Sequence, residues 1–110
     1  MPAAYKVLGQ SAPANTSNAN VYTVPSATSA VVSSIVVTNT TAITAYARIF
    51  VRIGGATAAT SNALVYDTSF LPNSTTSFTL GITITATDII TVQTGTANAL
   101  TFHVFGSELT

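Results

Sequence analysis

Seven side chains in this sequence could carry acid–base or ionic chemistry: Lys6, Arg48, Arg52, Asp67, Asp88, His103 and Glu108. His103 is the one imidazole, the group best placed to act as a base or a metal ligand near neutral pH. It has no second ligand or nucleophile at a useful spacing. Thr101 and Phe105 share its side of an alternating stretch, with Leu100, Phe102 and Val104 on the other, so His103 reads as a half-exposed packing or contact residue. Asp67, Asp88 and Glu108 are scattered singly. They form neither a calcium loop of the Asp-x-Asp-x-Asp-Gly kind nor a pair for general acid and base work.

Motifs of covalent and phosphate chemistry are missing as well. No Gly-x-Ser-x-Gly elbow or His-Glu-x-x-His pair occurs, and GGATAAT at 54–60 lacks the lysine of a phosphate loop. A Lys6–Asn98 isopeptide between early and late strands would need a catalytic acid that nothing in the sequence positions. With no cysteine there can be neither a disulfide nor a thiolate metal site. The expectation is a non-enzymatic protein with no catalytic residue, no cofactor and no metal.

The two arginines remain to be explained. In AYARIFVRI, residues 45–53, strict alternation sets Ala45, Ala47, Ile49, Val51 and Ile53 on one side of an extended strand. Tyr46, Arg48, Phe50 and Arg52 fall on the other. Arginine stacked between aromatic rings is characteristic of contact surfaces. Tyr46, Arg48, Phe50 and Arg52 are therefore the candidate interface. The competing explanation is internal: the column faces a second sheet, or Asp67 or Asp88 reaches Arg48 or Arg52 from a neighbouring strand.

Charged residues make up 5% of the 110, against roughly 25% in ordinary soluble domains. Hydroxyls replace them, with 21 Thr and 11 Ser. The hydrophobic fraction of 47% and zero net charge oppose disorder. A surface with so little charge has little self-repulsion, which favours association. Three basic residues cannot neutralise a phosphate backbone, so nucleic acid is not an expected partner. Nor is a membrane: no apolar run approaches about 18 residues, and the N-terminus lacks the pattern of a secretory signal. Asn-x-Ser/Thr triplets at Asn15, Asn39 and Asn73 are no more than chance gives in a chain this rich in hydroxyls.

The elements that must position these residues are strands. Apolar residues recur every second position, and turn residues interrupt them every 8 to 12 or so. Strands are predicted near residues 4–8, 21–24, 29–39, 45–53, 64–70, 77–85, 87–94 and 99–109, about eight in all. Residues 29–39 are apolar on both sides, which suggests a strand covered on two faces. Gly54-Gly55 calls for positive φ, LPNS at 71–74 for a turn, and GTAN at 95–98 for a hairpin. Residues 10–20 are polar and read as a loop or extended arm. Without helices, the strands must bury their apolar sides against each other. The predicted fold is all-β, a single antiparallel β-sandwich over residues 1–110, jelly-roll-like.

Several phrases together, AYKVLGQSAPA, YTVPSATSAVVSSIVVTN, RIFVRIGGAT, LPNSTTSFTLGITITATDIITVQT and FGSEL, resemble a group of small accessory virion proteins of tailed bacteriophages. These are capsid decoration, cement or fibre components. The resemblance spans nearly the whole chain. It implies a non-enzymatic protein of the virion, made in the host cytoplasm, that binds the phage major capsid protein or another virion protein. It also implies a homo-oligomer, often a trimer. A rival from another class is a glycan- or receptor-binding module of a fibre or tail, with Tyr46, Phe50 or Tyr66 as a stacking platform.

Overall fold

A computed structural model describes residues 3–110 of the chain. They form nine strands: β1 (Ala3–Ser11), β2 (Ala19–Thr23), β3 (Ser29–Asn39), β4 (Ala45–Arg52), β5 (Ala63–Phe70), β6 (Thr75–Phe78), β7 (Ile82–Thr85), β8 (Ile89–Thr94) and β9 (Leu100–Leu109). Two antiparallel sheets result. One has the order β1-β9-β3-β6, with β7 also on β3; the other has the order β2-β8-β4-β5. The pairing is nested. β4 pairs β5, β3 pairs β6 and β7, β2 pairs β8, and β1 pairs β9, as in a long hairpin rolled so that successive rungs alternate between sheets. This is the jelly-roll arrangement of a sandwich, with β6 and β7 as one interrupted edge.

The core comes from alternate residues of each strand, as the period-two pattern requires. Val32, Ile35, Val37, Phe102 and Val104 of the larger sheet meet Ala47, Ile49, Ile90, Val92 and Phe70 of the smaller. Backbone irregularities set the phase. Val65 and Phe70 both point inward although they are five positions apart, an odd spacing, because β5 bulges between them at Asp67, whose φ is 51°. Plain alternation would instead put Val65 and Asp67 on one side and Phe70 on the other. Gly9 allows a different adjustment: a Cβ there would drive into the carbonyl of Val21, so its bareness lets β1 and β2 close one side of the sandwich.

Three local expectations need correction. The segment 77–85 is not one strand: the chain leaves the sheet at 79–81, where Gly81 has a φ of 64°, and Leu80 is turned out into solvent. GTAN does not join a hairpin, because β8 and β9 lie in different sheets. Its turn chemistry fixes a reversal but not which sheet receives the chain. β3 is not covered on two sides either. Its burial alternates strictly around Ala30 and Val32, and Val31 stays open to solvent.

Gly54 and Gly55 do adopt positive φ, of 62° and 78°, and LPNS turns the chain with Asn73 at a φ of 52°. The polar segment is a loop over residues 12–18 held against its own sandwich. Pro13 is buried and its carbonyl accepts from the Asn98 N–H, while Gln93 Nε2 donates to the Thr16 carbonyl at 2.9 Å.

Candidate interaction surfaces

All six charged side chains are engaged inside the molecule. Opposite Arg48, the bulge in β5 brings both Tyr66 and Asp67 to the outer side of the four-stranded sheet. The guanidinium donates twice to the Asp67 carboxylate, Nε to Oδ1 at 2.7 Å and Nη2 to Oδ2 at 3.1 Å, and stands 4.1 Å from the centre of the Tyr66 ring. The guanidinium's hydrogen bonds hold the Asp67 carboxyl below its usual range. The internal-acid explanation of the column thus holds for Arg48.

Arg52 fastens a loop. Its Nε donates to the Ala56 carbonyl at 2.7 Å and its Nη2 to that of Gly55 at 3.0 Å, while Nη1 reaches Asn20 Oδ1 and Thr91 Oγ1. Asp88 grips the same loop from the other side. Its Oδ1 accepts from Gly54 N–H at 2.8 Å and its Oδ2 from Thr85 N–H at 2.9 Å, so it pairs with backbone donors and with neither arginine. Asn62 closes the loop's far end, donating to the Thr57 carbonyl and accepting from Ala59 N–H. Beneath lies Phe50, 3% exposed and outside the main core.

The predicted column therefore divides. Tyr46, 48% exposed, and half-buried Arg48 present a surface, joined by Tyr66, which neither arginine's spacing pointed to. Phe50 and Arg52 are taken up in holding residues 53–62. Two shallow clefts flank Arg48 and Gln93. One, of about 180 Å³, runs past Tyr46, Asp67 and Thr16; the other, of about 230 Å³, passes Tyr66, Asn18 and Thr60.

The remaining ion pair lies within the five-stranded sheet, between β1 and β9, and a tyrosine ties it to the other sheet. Lys6 Nζ lies 2.6 Å from Glu108 Oε1, and the Tyr22 hydroxyl crosses the sandwich to donate to Glu108 Oε2 at 2.6 Å. Lys6 and then Tyr22 hold the Glu108 carboxyl below its usual range, while burial and then Glu108 push the Tyr22 hydroxyl well above its own. Asn98 lies beyond the opposite end of β9 from Glu108, so the acid beside Lys6 does not assemble an isopeptide site. His103 is half-buried. Its Nδ1 lies 3.0 Å from Gln10 Nε2, and its ring is parallel to that of Phe105 at 6.0 Å. Among the described residues, no three of His, Asp and Glu gather into a metal cluster, and no helix is long and apolar enough to cross a membrane.

A second surface escaped the sequence reading. Register places Tyr5, Val7 and Gln10 of β1, His103, Phe105 and Ser107 of β9, and Val31, Ser34 and Val36 of β3 on the outer side of the five-stranded sheet. Tyr5 is 87% exposed, Val7 48% and Val31 37%. The signal was present in the two-sided apolar content of residues 29–39, but burial under a further layer explains that pattern equally well from sequence.

Comparison of the chain with protein-family models, curated proteins and solved structures gave no match.

Proposed function

We propose that this chain is a non-enzymatic structural protein of a bacteriophage virion, which binds the assembled capsid as a decoration or cement protein and associates with copies of itself. The observation that carries this reading is the internal use of every charge. Lys6, Arg48, Arg52, Asp67, Asp88 and Glu108 hold loops and strands of their own molecule. Hydroxyl, amide and apolar groups are left on the outer side of the five-stranded sheet, and on that of the four-stranded sheet they surround an Arg48–Asp67 pair that neutralises itself. Such faces suit extended contact with other protein surfaces.

The mechanism is thermodynamic linkage. A protein whose contacts exist only on the assembled shell stabilises that shell by mass action, in proportion to its free concentration over its Kd. Tyr46, Arg48 and Tyr66 are the group assigned to the shell, since Arg and Tyr carry a disproportionate share of binding energy in protein contacts. Cosedimentation with shells assembled from the phage's major capsid protein tests this. Binding to assembled shells but not to free capsid subunits is expected, with a rise in the shells' melting temperature. Absence of shell binding contradicts the reading.

The two clefts beside Arg48 favour a second reading, a glycan- or receptor-binding module of a fibre or tail. Their walls combine exposed tyrosine rings with amide and hydroxyl groups, and Arg48 and Asp67 cancel in charge. Sugar-dependent binding on a glycan array, with no affinity for shells, would select it.

A further inference from the structure

The outer side of the five-stranded sheet differs from that of the four-stranded sheet, which carries Arg48 and Asp67. Its residues by register are Ala3, Tyr5, Val7 and Gln10 on β1; Thr101, His103, Phe105, Ser107 and Leu109 on β9; Ser29, Val31, Ser34, Val36 and Thr38 on β3; and Thr75, Ser77, Thr83 and Thr85 on β6 and β7. Not one is Lys, Arg, Asp or Glu. Lys6 and Glu108 sit on the same strands but at positions of opposite phase, pairing with Gly106 and Ala30 on the inner side, where they meet Tyr22. Apolar side chains occupy three successive rows. Tyr5 and Val31 flank Ser107, Val7 lies beside Phe105, and Val36 lies beside His103, whose ring stacks on that of Phe105.

We infer that this sheet face packs against the same face of a second copy, about a two-fold axis. This rests on the reading of the chain as a self-associating component and names the surface. Charge selects the occupant. A two-fold contact sets a surface against itself, so any ion near the axis meets its own like charge, and a face without ions escapes that penalty. A partner bringing charged side chains would have to bury them against Val, Tyr and Phe without counter-ions.

Size is consistent with this occupant. Ten residues of β9 at about 3.3 Å each, across four strand positions about 4.8 Å apart, give a planar face of roughly 600 Å². Two such faces bury about 1,200 Å², the lower end of the range for specific interfaces. Stacking at about 10 Å would repeat between copies the packing that already joins the two sheets.

Sedimentation equilibrium of the purified chain tests the inference. The wild type is expected to show a dimer mass at micromolar concentration. Tyr5→Lys combined with Val31→Lys places two cations per copy on the face at exposed positions, and should weaken dimerisation by at least about a hundredfold with an unchanged circular dichroism spectrum. Leu64→Lys, on the opposite sheet and 42% exposed, should leave the dimer intact. A monomeric or trimeric wild type, or a double variant that keeps the dimer mass, overturns the inference. Cosedimentation of the same preparations with shells separates the two readings. A monomer that binds shells removes the two-fold contact only; a dimer that ignores shells removes the capsid role only.

Discussion

Asn39 shows how much one polar side chain organises in a chain with so few ions. It is 1% exposed, and its amide donates to the carbonyls of Ile43 and Phe70 at 2.9 and 3.0 Å. Its Oδ1 accepts from the backbone N–H and the hydroxyl of Thr41. One residue thereby ties the β3–β4 turn to the end of β5. Asn39→Leu would strand several buried groups and is expected to cost about 2–4 kcal/mol, measurable by urea unfolding. Asn39→Asp should cost more, because a carboxylate oxygen would face carbonyls that need a donor. Equal stability of the three proteins would refute this role. In the sequence, Asn39 reads as the start of a turn over 39–42 and as part of a chance-level triplet, and neither reading shows that its side chain is buried.

The Lys6–Glu108–Tyr22 cluster sets a pH window at the same scale. Glu108 and Asp67 have folded values below their unfolded ones, so their stabilisation is present above about pH 4 and is lost as pH falls through the depressed values. Tyr22 is shifted the other way. Its contribution is complete below the unfolded value of about 10 and declines above it, where the unfolded chain ionises and the folded one resists. Melting temperature should be level between these limits and fall on both sides, and Glu108→Gln should flatten the acid limb. A melting temperature independent of pH down to about 3 would contradict it.

Among elements, the strands were readable where their period was uninterrupted. β9 follows the alternation of its residues, β3 does so on either side of a shift at Ser33, and the glycines at 54 and 55 turn the chain as their freedom allows. Phase changes were not readable. The bulge at Asp67 and the break at Gly81 arise from pairing with β4 and β3, and pairing partners lie far away in sequence. The site followed the same division. The column of Tyr46, Arg48, Phe50 and Arg52 could be drawn from residue spacing, but the loop that covers Phe50 could not, since Arg52, Asp88 and Asn62 fasten it through backbone groups.

Two variants probe these elements. Arg52→Met removes donors from the Gly55 and Ala56 carbonyls and should speed hydrogen exchange across residues 53–62, leaving the β9 amides protected. Unchanged exchange in the loop would show that Asp88 and Asn62 suffice. Gly9→Ala should destabilise by about 1–3 kcal/mol by forcing β1 away from the Val21 carbonyl. A neutral effect on thermal unfolding would show that the edge strands are not in fixed contact.

On the scale of the whole molecule, the account is one of distribution. The ions bond to groups of their own molecule, and the two outer faces are the surfaces we propose for association: one with Tyr46, Arg48 and Tyr66, the other without a charged side chain among the described residues. Contacts made by such faces depend on apolar burial and neutral hydrogen bonds, which salt does not screen, whereas ionic contacts weaken steeply between about 0.1 M and about 1 M. The most direct test is cosedimentation with assembled shells across that salt range. The account predicts that the bound fraction holds constant or rises with salt. Binding that disappears with added salt, or that is absent throughout, would contradict it.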